Sequence, residues 1–120
     1  MSSIPKAIGP YSAFTQKGGL LVTSGQLPID PETNQLVQGP IEEQVKQSLD
    51  NLMEIVKAAG MERKDIVKVT IFLKDMNDFA KVNEVYATYF SEAYPSRTCV
   101  QVARLPRDAS IEIELMAFKG

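Results

Sequence analysis

Between Ile41 and Ala59 the apolar residues Ile41, Val45, Leu49, Leu52, Val56 and Ala59 recur at three- and four-residue spacing, with Glu42, Glu43, Lys46, Gln47, Asp50 and Lys57 filling the other positions. This predicts an amphipathic helix ending at Gly60, acids at its start and Lys57 near its end as the helix dipole favours. Such a helix draws most of its stability from the surface its apolar stripe covers. The surface is next in the chain. From Ile66 to Leu73 the period drops to two, with Val67, Val69, Ile71 and Leu73 on one face and Lys68, Thr70 and Phe72 on the other. A helix followed by an alternating strand predicts helix packed on sheet.

The remaining segments extend that sheet. Ala7 to Thr15, after a Gly9-Pro10 turn signal, reads as a first short strand, and Leu20 to Ser24 as a second that stops at Gly25, with a turn at Lys17-Gly18-Gly19. Pro28 to Pro40 carries three prolines and reads as an exposed connection in which nothing regular is expected. Asp75 to Asp78 reads as a loop. Phe79, Val82, Val85, Tyr86 and Tyr89 then mark a second helix that ends before Pro95, its apolar residues expected in the core. Two further strands flank the turn Leu105-Pro106-Arg107-Asp108. The order is β-β-α-β-α-β-β, an α+β fold, with residues 1–120 expected to form a single domain. Two helices cover only one face of such a sheet, and the other would carry Phe72, Val100, Val102, Met116 and Phe118. A homo-oligomer that buries this patch is expected.

Composition excludes several classes of function. With 13 Lys and Arg scattered against 15 Asp and Glu, net charge −2, there is no basic footprint for nucleic acid. No segment approaches the ~18 apolar residues that span a bilayer, so no membrane partner is expected. The N-terminal residues have neither an apolar h-region nor a basic amphipathic character, and one cysteine makes no internal disulfide, which favours a reducing cytoplasm. The chain has no histidine. That removes the commonest general base and metal ligand and every Ser-His or Cys-His pair, and there is no phosphate-binding glycine loop. With one cysteine and no histidine, a zinc site is not expected.

Arg97 opens an apolar strand and shares one face with Cys99, Gln101 and Ala103. Its rigid fork fits a carboxylate, so it reads either as an anchor for an anionic small molecule or as half of a structural ion pair. Glu112 and Glu114 alternate with Ile111, Ile113 and Leu115. A carboxylate here could orient water, pair with Arg97, or face solvent. Cys99, with no base to activate it, reads as a buried spectator rather than a nucleophile. Tyr11 could lay its ring against a ligand or simply pack, Ser24 could bond a ligand or shape a turn, and Asn83 could reach across an interface or face water.

Together these residues are more specific than any one of them. Pro95-Ser96-Arg97-Thr98-Cys99-Val100, Ala103-Arg104-Leu105-Pro106 and Ile111-Glu112-Ile113-Glu114 resemble the signature of the RidA (YjgF) family of enamine/imine deaminases. So do Ala7-Ile8-Gly9-Pro10-Tyr11-Ser12, Thr23-Ser24-Gly25-Gln26 and Asp78-Phe79-Ala80-Lys81-Val82-Asn83, in order along nearly the whole chain. The resemblance implies a chorismate mutase-like fold, a six-stranded sheet with two helices on one face, and a homotrimer with clefts at its subunit interfaces. It implies hydrolysis of 2-aminoacrylate-type enamines and imines (2-iminobutanoate, 2-iminopropanoate) to 2-oxo acids and ammonia, without a cofactor, protecting pyridoxal-phosphate enzymes. Arg97 would hold the substrate carboxylate and Glu112 the attacking water. The Cys99 backbone would contact the substrate, and Tyr11, Ser24 and Asn83 would line the cleft. A 2-oxo-acid-binding protein without turnover is the alternative. An RNA-cleaving role fits poorly with the acidic charge and absent histidine.

Overall fold

The computed structural model describes residues 4–91 and 93–120. Its main sheet has five strands, β1 (Phe14–Lys17), β2 (Leu20–Thr23), β5 (Ile66–Leu73), β6 (Ser96–Gln101) and β7 (Ile111–Phe118), ordered β1-β2-β7-β5-β6. All neighbours are antiparallel except β5 and β6, which run parallel and are joined through the helix α2 (Phe79–Ala87). The α+β class and the element order around both helices hold. The expected sixth strand is not in this sheet. In its place β3 (Ile29–Asp30) and β4 (Gln35–Leu36) form a separate hairpin, and Gln26 makes a lone bridge to Ile113.

The long helix α1 (Ile41–Ala58) forms as its periodicity requires, with Ile41, Val45, Leu49, Leu52, Ile55 and Val56 buried. It ends in a Schellman motif: Gly60, at φ 75, and Met61 donate their N–H groups to Lys57 and Val56 carbonyls. Buried Met61 then caps the stripe. The stripe lies on Val69, Ile71, Ile113 and Leu115, all at most 2% exposed. Each of these side chains contributes roughly 1.5–3 kcal/mol by leaving water.

Three local expectations are corrected. Strand β1 starts at Phe14, not Ala7, because the segment before it satisfies its own polar groups locally: Tyr11 N–H donates to the Gly9 carbonyl and the Tyr11 hydroxyl accepts from Ile8 N–H. The Pro28–Pro40 stretch is not structureless, since buried Asn51 of α1 donates its side-chain amide to the Leu27 and Ile29 carbonyls and pins the hairpin there. Val67 is not on the buried face. A register shift between Ile66 and Lys68 leaves Val67 47% exposed and turns Ile66 inward.

The face of the sheet away from the helices is open and carries an apolar patch beside polar Lys68, Thr70, Glu112 and Glu114. Val22, Val100, Met116 and Phe118 are each 38–54% exposed on it.

Candidate active site

Arg97 points to the helix side of the sheet, since it pairs in register with buried Val69. There its Nη1 donates to Asn83 Oδ1 at 2.7 Å, and its guanidinium lies 4.9 Å from the Tyr86 ring centroid and 5.5 Å from that of Phe79. Phe79, Asn83 and Tyr86 stand at i, i+4 and i+7, one face of α2. The bed for the guanidinium is thus two rings and a neutral amide. Burial pushes the Tyr86 phenol up to about 12 despite the neighbouring cation, so it stays protonated. Arg97 forms no ion pair with a carboxylate among the described residues. A shallow cavity of about 470 Å³ opens beside it, between Asn83, Tyr86, Tyr94 and Pro95.

Cys99 follows on the same face, half-buried, its thiol raised by burial against the lowering effect of Arg97. It is a poor nucleophile in that state. Its backbone is better placed. Val102 donates its N–H to Leu73 O, and the alternation of a parallel ladder then turns the Cys99 N–H outward from β6, the edge strand.

Glu112 pairs with Phe72 across the ladder and points to the other face. Its carboxyl is raised above the usual range, first by burial and then by the charge of Glu114. It lines a cavity of about 360 Å³ with Tyr11, Ser24, Gly25, Lys6 and Arg107 among its walls. Ser24 donates its hydroxyl to the Ser12 carbonyl at 2.6 Å and accepts nothing from Glu112, and Ser24 N–H donates to Ala13 O, so the two strand ends that carry the cavity wall are tied together. Gly25 is there for space. A Cβ at that position would stand 2.6 Å from the Glu112 carboxyl carbon, while its backbone is outside the left-handed region.

The six expected site residues therefore fall into two groups. Arg97, Asn83 and Cys99 form one, Glu112, Tyr11 and Ser24 the other, on opposite faces of one sheet. Of the alternatives the sequence left open for Glu112, an ion pair with Arg97 of the same chain is ruled out by register, which turns Arg97 on β6 toward the helices and Glu112 on β7 away from them. Sequence reasoning missed Phe79 and Tyr86, whose spacing from Asn83 was visible but read as core, and Gly25 and Arg107 as cavity walls. No group of three or more His, Cys, Asp or Glu among the described residues is placed to hold a metal ion, and no described helix is long and apolar enough to cross a membrane.

A family model described as Endoribonuclease L-PSP matches residues 1–119. The chain belongs to this family, the RidA (YjgF) family. A RutC family protein of Pyrococcus horikoshii is 54% identical over 115 residues, 96% of this chain and 91% of that protein. The 2-iminobutanoate/2-iminopropanoate deaminase of Escherichia coli K12 is 49% identical over 118 residues, 96% of this chain and 91% of that enzyme. The crystal structure of E. coli TdcF with bound serine superposes with a TM-score of 0.94 at 45% identity, covering 98% of this chain and 94% of that one. The family expected from the motifs is the family found.

Proposed function

We propose that this RidA-family chain hydrolyses reactive 2-imino acids and their enamine tautomers, of the 2-iminopropanoate and 2-iminobutanoate kind, to the 2-oxo acid and ammonia. The working unit is a homotrimer in the cytoplasm, each cleft joining the Arg97 side of one subunit to the Glu112 side of the next. The observation that carries this is the state of Arg97, a guanidinium whose partners among the described residues are all neutral and which faces an open cavity. A cation held in this way, with no carboxylate paired to it among the described residues, is suited to an anion from outside. The half-identical relative that bears the deaminase name supports the reaction class. The apolar patch on the open face and the back-to-back half-sites support the assembly.

The chemistry asks little of the protein. Arg97 grips the substrate carboxylate by two parallel hydrogen bonds, and the outward N–H of Cys99 steadies it. Asn83 and the rings of Phe79 and Tyr86 hold the guanidinium. Across the cleft Glu112 holds a water, takes its proton as the oxygen adds to C2, and returns that proton to nitrogen. In the resulting carbinolamine the hydroxyl proton passes through Glu112 to the nitrogen as the C–N bond breaks, so ammonia leaves and the carbon keeps the oxygen as the carbonyl of the 2-oxo acid. Burial and Glu114 make Glu112 more basic than an ordinary carboxylate, which suits the first proton transfer. Tyr11 and Ser24 shape the wall. Imine hydrolysis is intrinsically fast, so positioning two reactants supplies most of what is needed.

The test couples the protein to a serine or threonine dehydratase and follows the transient imine. Faster appearance of 2-oxo acid and ammonia than in buffer alone is expected, with light scattering giving three times the 13.3 kDa chain mass. An unaccelerated decay would end the hydrolase reading, and a monomer mass would end the shared cleft.

A further inference from the structure

The cavity beside Glu112 holds more positive charge than the hydrolysis of a monocarboxylic imine uses. Lys6 and Arg107 both line it, against the single carboxylate of Glu112. Arg107 is the more telling of the two because its backbone is constrained. It stands at φ 58 and is followed by Asp108 at φ 55, two successive non-glycine residues in the left-handed region. Single residues of this kind are uncommon and gather where a side chain must be aimed.

The acid next to Arg107 does not neutralise it. Asp108 accepts from Arg104 Nε at 2.7 Å and from Arg104 Nη2 at 3.3 Å, and that guanidinium holds the Asp108 carboxyl below its usual range. Arg107 instead reaches across to the hairpin tip, where both terminal nitrogens approach the Asn34 carbonyl at 3.4 Å. The contact is long and neutral. Among the described residues Arg107 forms no ion pair with a carboxylate. It therefore repeats the condition of Arg97, a guanidinium braced by a neutral acceptor at a cavity wall, on the opposite side of the proposed cleft.

We propose that Arg107 receives a second anionic group of the substrate, so that 2-imino dicarboxylic acids are among the molecules this protein hydrolyses. This rests on the hydrolase reading above. The C1 carboxylate lies on Arg97 of one subunit, C2 faces the water on Glu112 of the next, and the side-chain carboxylate lies against Arg107 beside that Glu112. The reaction is unchanged: water adds to C2, the C–N bond breaks, and a 2-oxo dicarboxylic acid and ammonia result.

The experiment compares kcat/KM for 2-iminosuccinate, generated from aspartate by a flavin-dependent oxidase, with that for 2-iminopropanoate from a serine dehydratase. It is run at about 0.3 M salt, where general attraction of anions by surface charge is largely screened. Arg107→Asn is the informative variant, since asparagine tolerates the left-handed backbone. It should lower the ratio of dicarboxylic to monocarboxylic kcat/KM by about ten-fold or more, chiefly through KM, and Arg107→Lys should restore part of the ratio. Calorimetry on the native protein should also show tighter binding of oxaloacetate than of pyruvate, a measurement that needs no variant to fold. If the native protein accelerates 2-iminopropanoate but not 2-iminosuccinate, or if the ratio does not move in Arg107→Asn, this inference falls and the hydrolase reading stands. If it accelerates neither imine, the hydrolase reading falls first.

Discussion

Arg97 and Glu112 sit on the two faces of one sheet, and each is held in a different way. Arg97 is braced by side chains: Asn83 takes one hydrogen bond and the rings of Tyr86 and Phe79 lie against the guanidinium. Its bracing comes from one face of α2, a helix that packs on α1, and its own strand β6 is held in the sheet by β5. Glu112 is held by a gap. Its carboxyl occupies the space that a side chain at residue 25 would take, in a cavity walled by loops that Ser24, Asn51 and the Gln26–Ile113 bridge tie down. The proposed carboxylate-gripping cation is thus braced by side chains of regular elements. The proposed water-holding acid projects into a loop-lined space, where burial makes it more basic.

The largest expected effects test whether the two halves meet between subunits. Arg97→Ala should cost about 10²–10³ in kcat/KM through loss of a charge-assisted grip, and Glu112→Gln about 10² while a 2-oxo acid still binds. Loss of product binding in Glu112→Gln would move that residue from water-holding to binding. Co-expressing the two variants sharpens the comparison. Random mixing leaves an intact Arg97 facing an intact Glu112 in about a quarter of the clefts of a closed ring, so about a quarter of native activity should return. Mixed oligomers that stay inactive would break the shared cleft.

A smaller effect tests the gap. Gly25→Ala should leave the fold nearly unchanged, because Gly25 needs no left-handed torsion, but should push the Glu112 carboxyl aside and lower kcat by about ten-fold or more. The double variant Gly25→Ala with Glu112→Asp, whose acid is one methylene shorter, should recover part of that loss, whereas Glu112→Asp alone should be impaired. Activity ratios of the four proteins read this directly. Additive losses in the double variant would show that Gly25 and Glu112 act independently.

How much of this was legible depended on whether the deciding contact was local. Helix α1 and its end at Gly60 were readable because periodicity and a Schellman end are properties of a few consecutive residues. The alternation of β5 was readable as far as Val67, where pairing with residues 116 and 117, fifty positions away, inserts the bulge. The β3–β4 hairpin was not readable, since what fixes it is an amide on α1 more than twenty residues later. Arg97 and Glu112 were both visible as candidates, and their placement on opposite faces was not. They flank a turn, but the parity between them is set by β5, which lies between their strands and takes its own register with each. Phe79, Asn83 and Tyr86 were visible as a helix face. Only the neighbouring arginine turns that face from core into a support.

The smallest expected effect concerns the charge that sits beside Glu112. Glu114 shares its face and raises its carboxyl, after burial, which is the larger cause. A group whose folded pKa lies above its unfolded one binds more protons when folded, so it costs stability as pH rises through that interval and is unusable as a base below it. Glu114→Gln removes the second cause only. The acid limb of kcat/KM should therefore move to lower pH, by less than the whole displacement, with the plateau activity little changed. Glu112→Gln should melt no lower than the native protein at neutral pH, because the ionised carboxylate it removes was disfavoured there. An acid limb that ignores Glu114→Gln would mean that the proton leaving the attacking water goes to a group other than Glu112, and would leave the carboxylate side of the cleft with a positioning role alone.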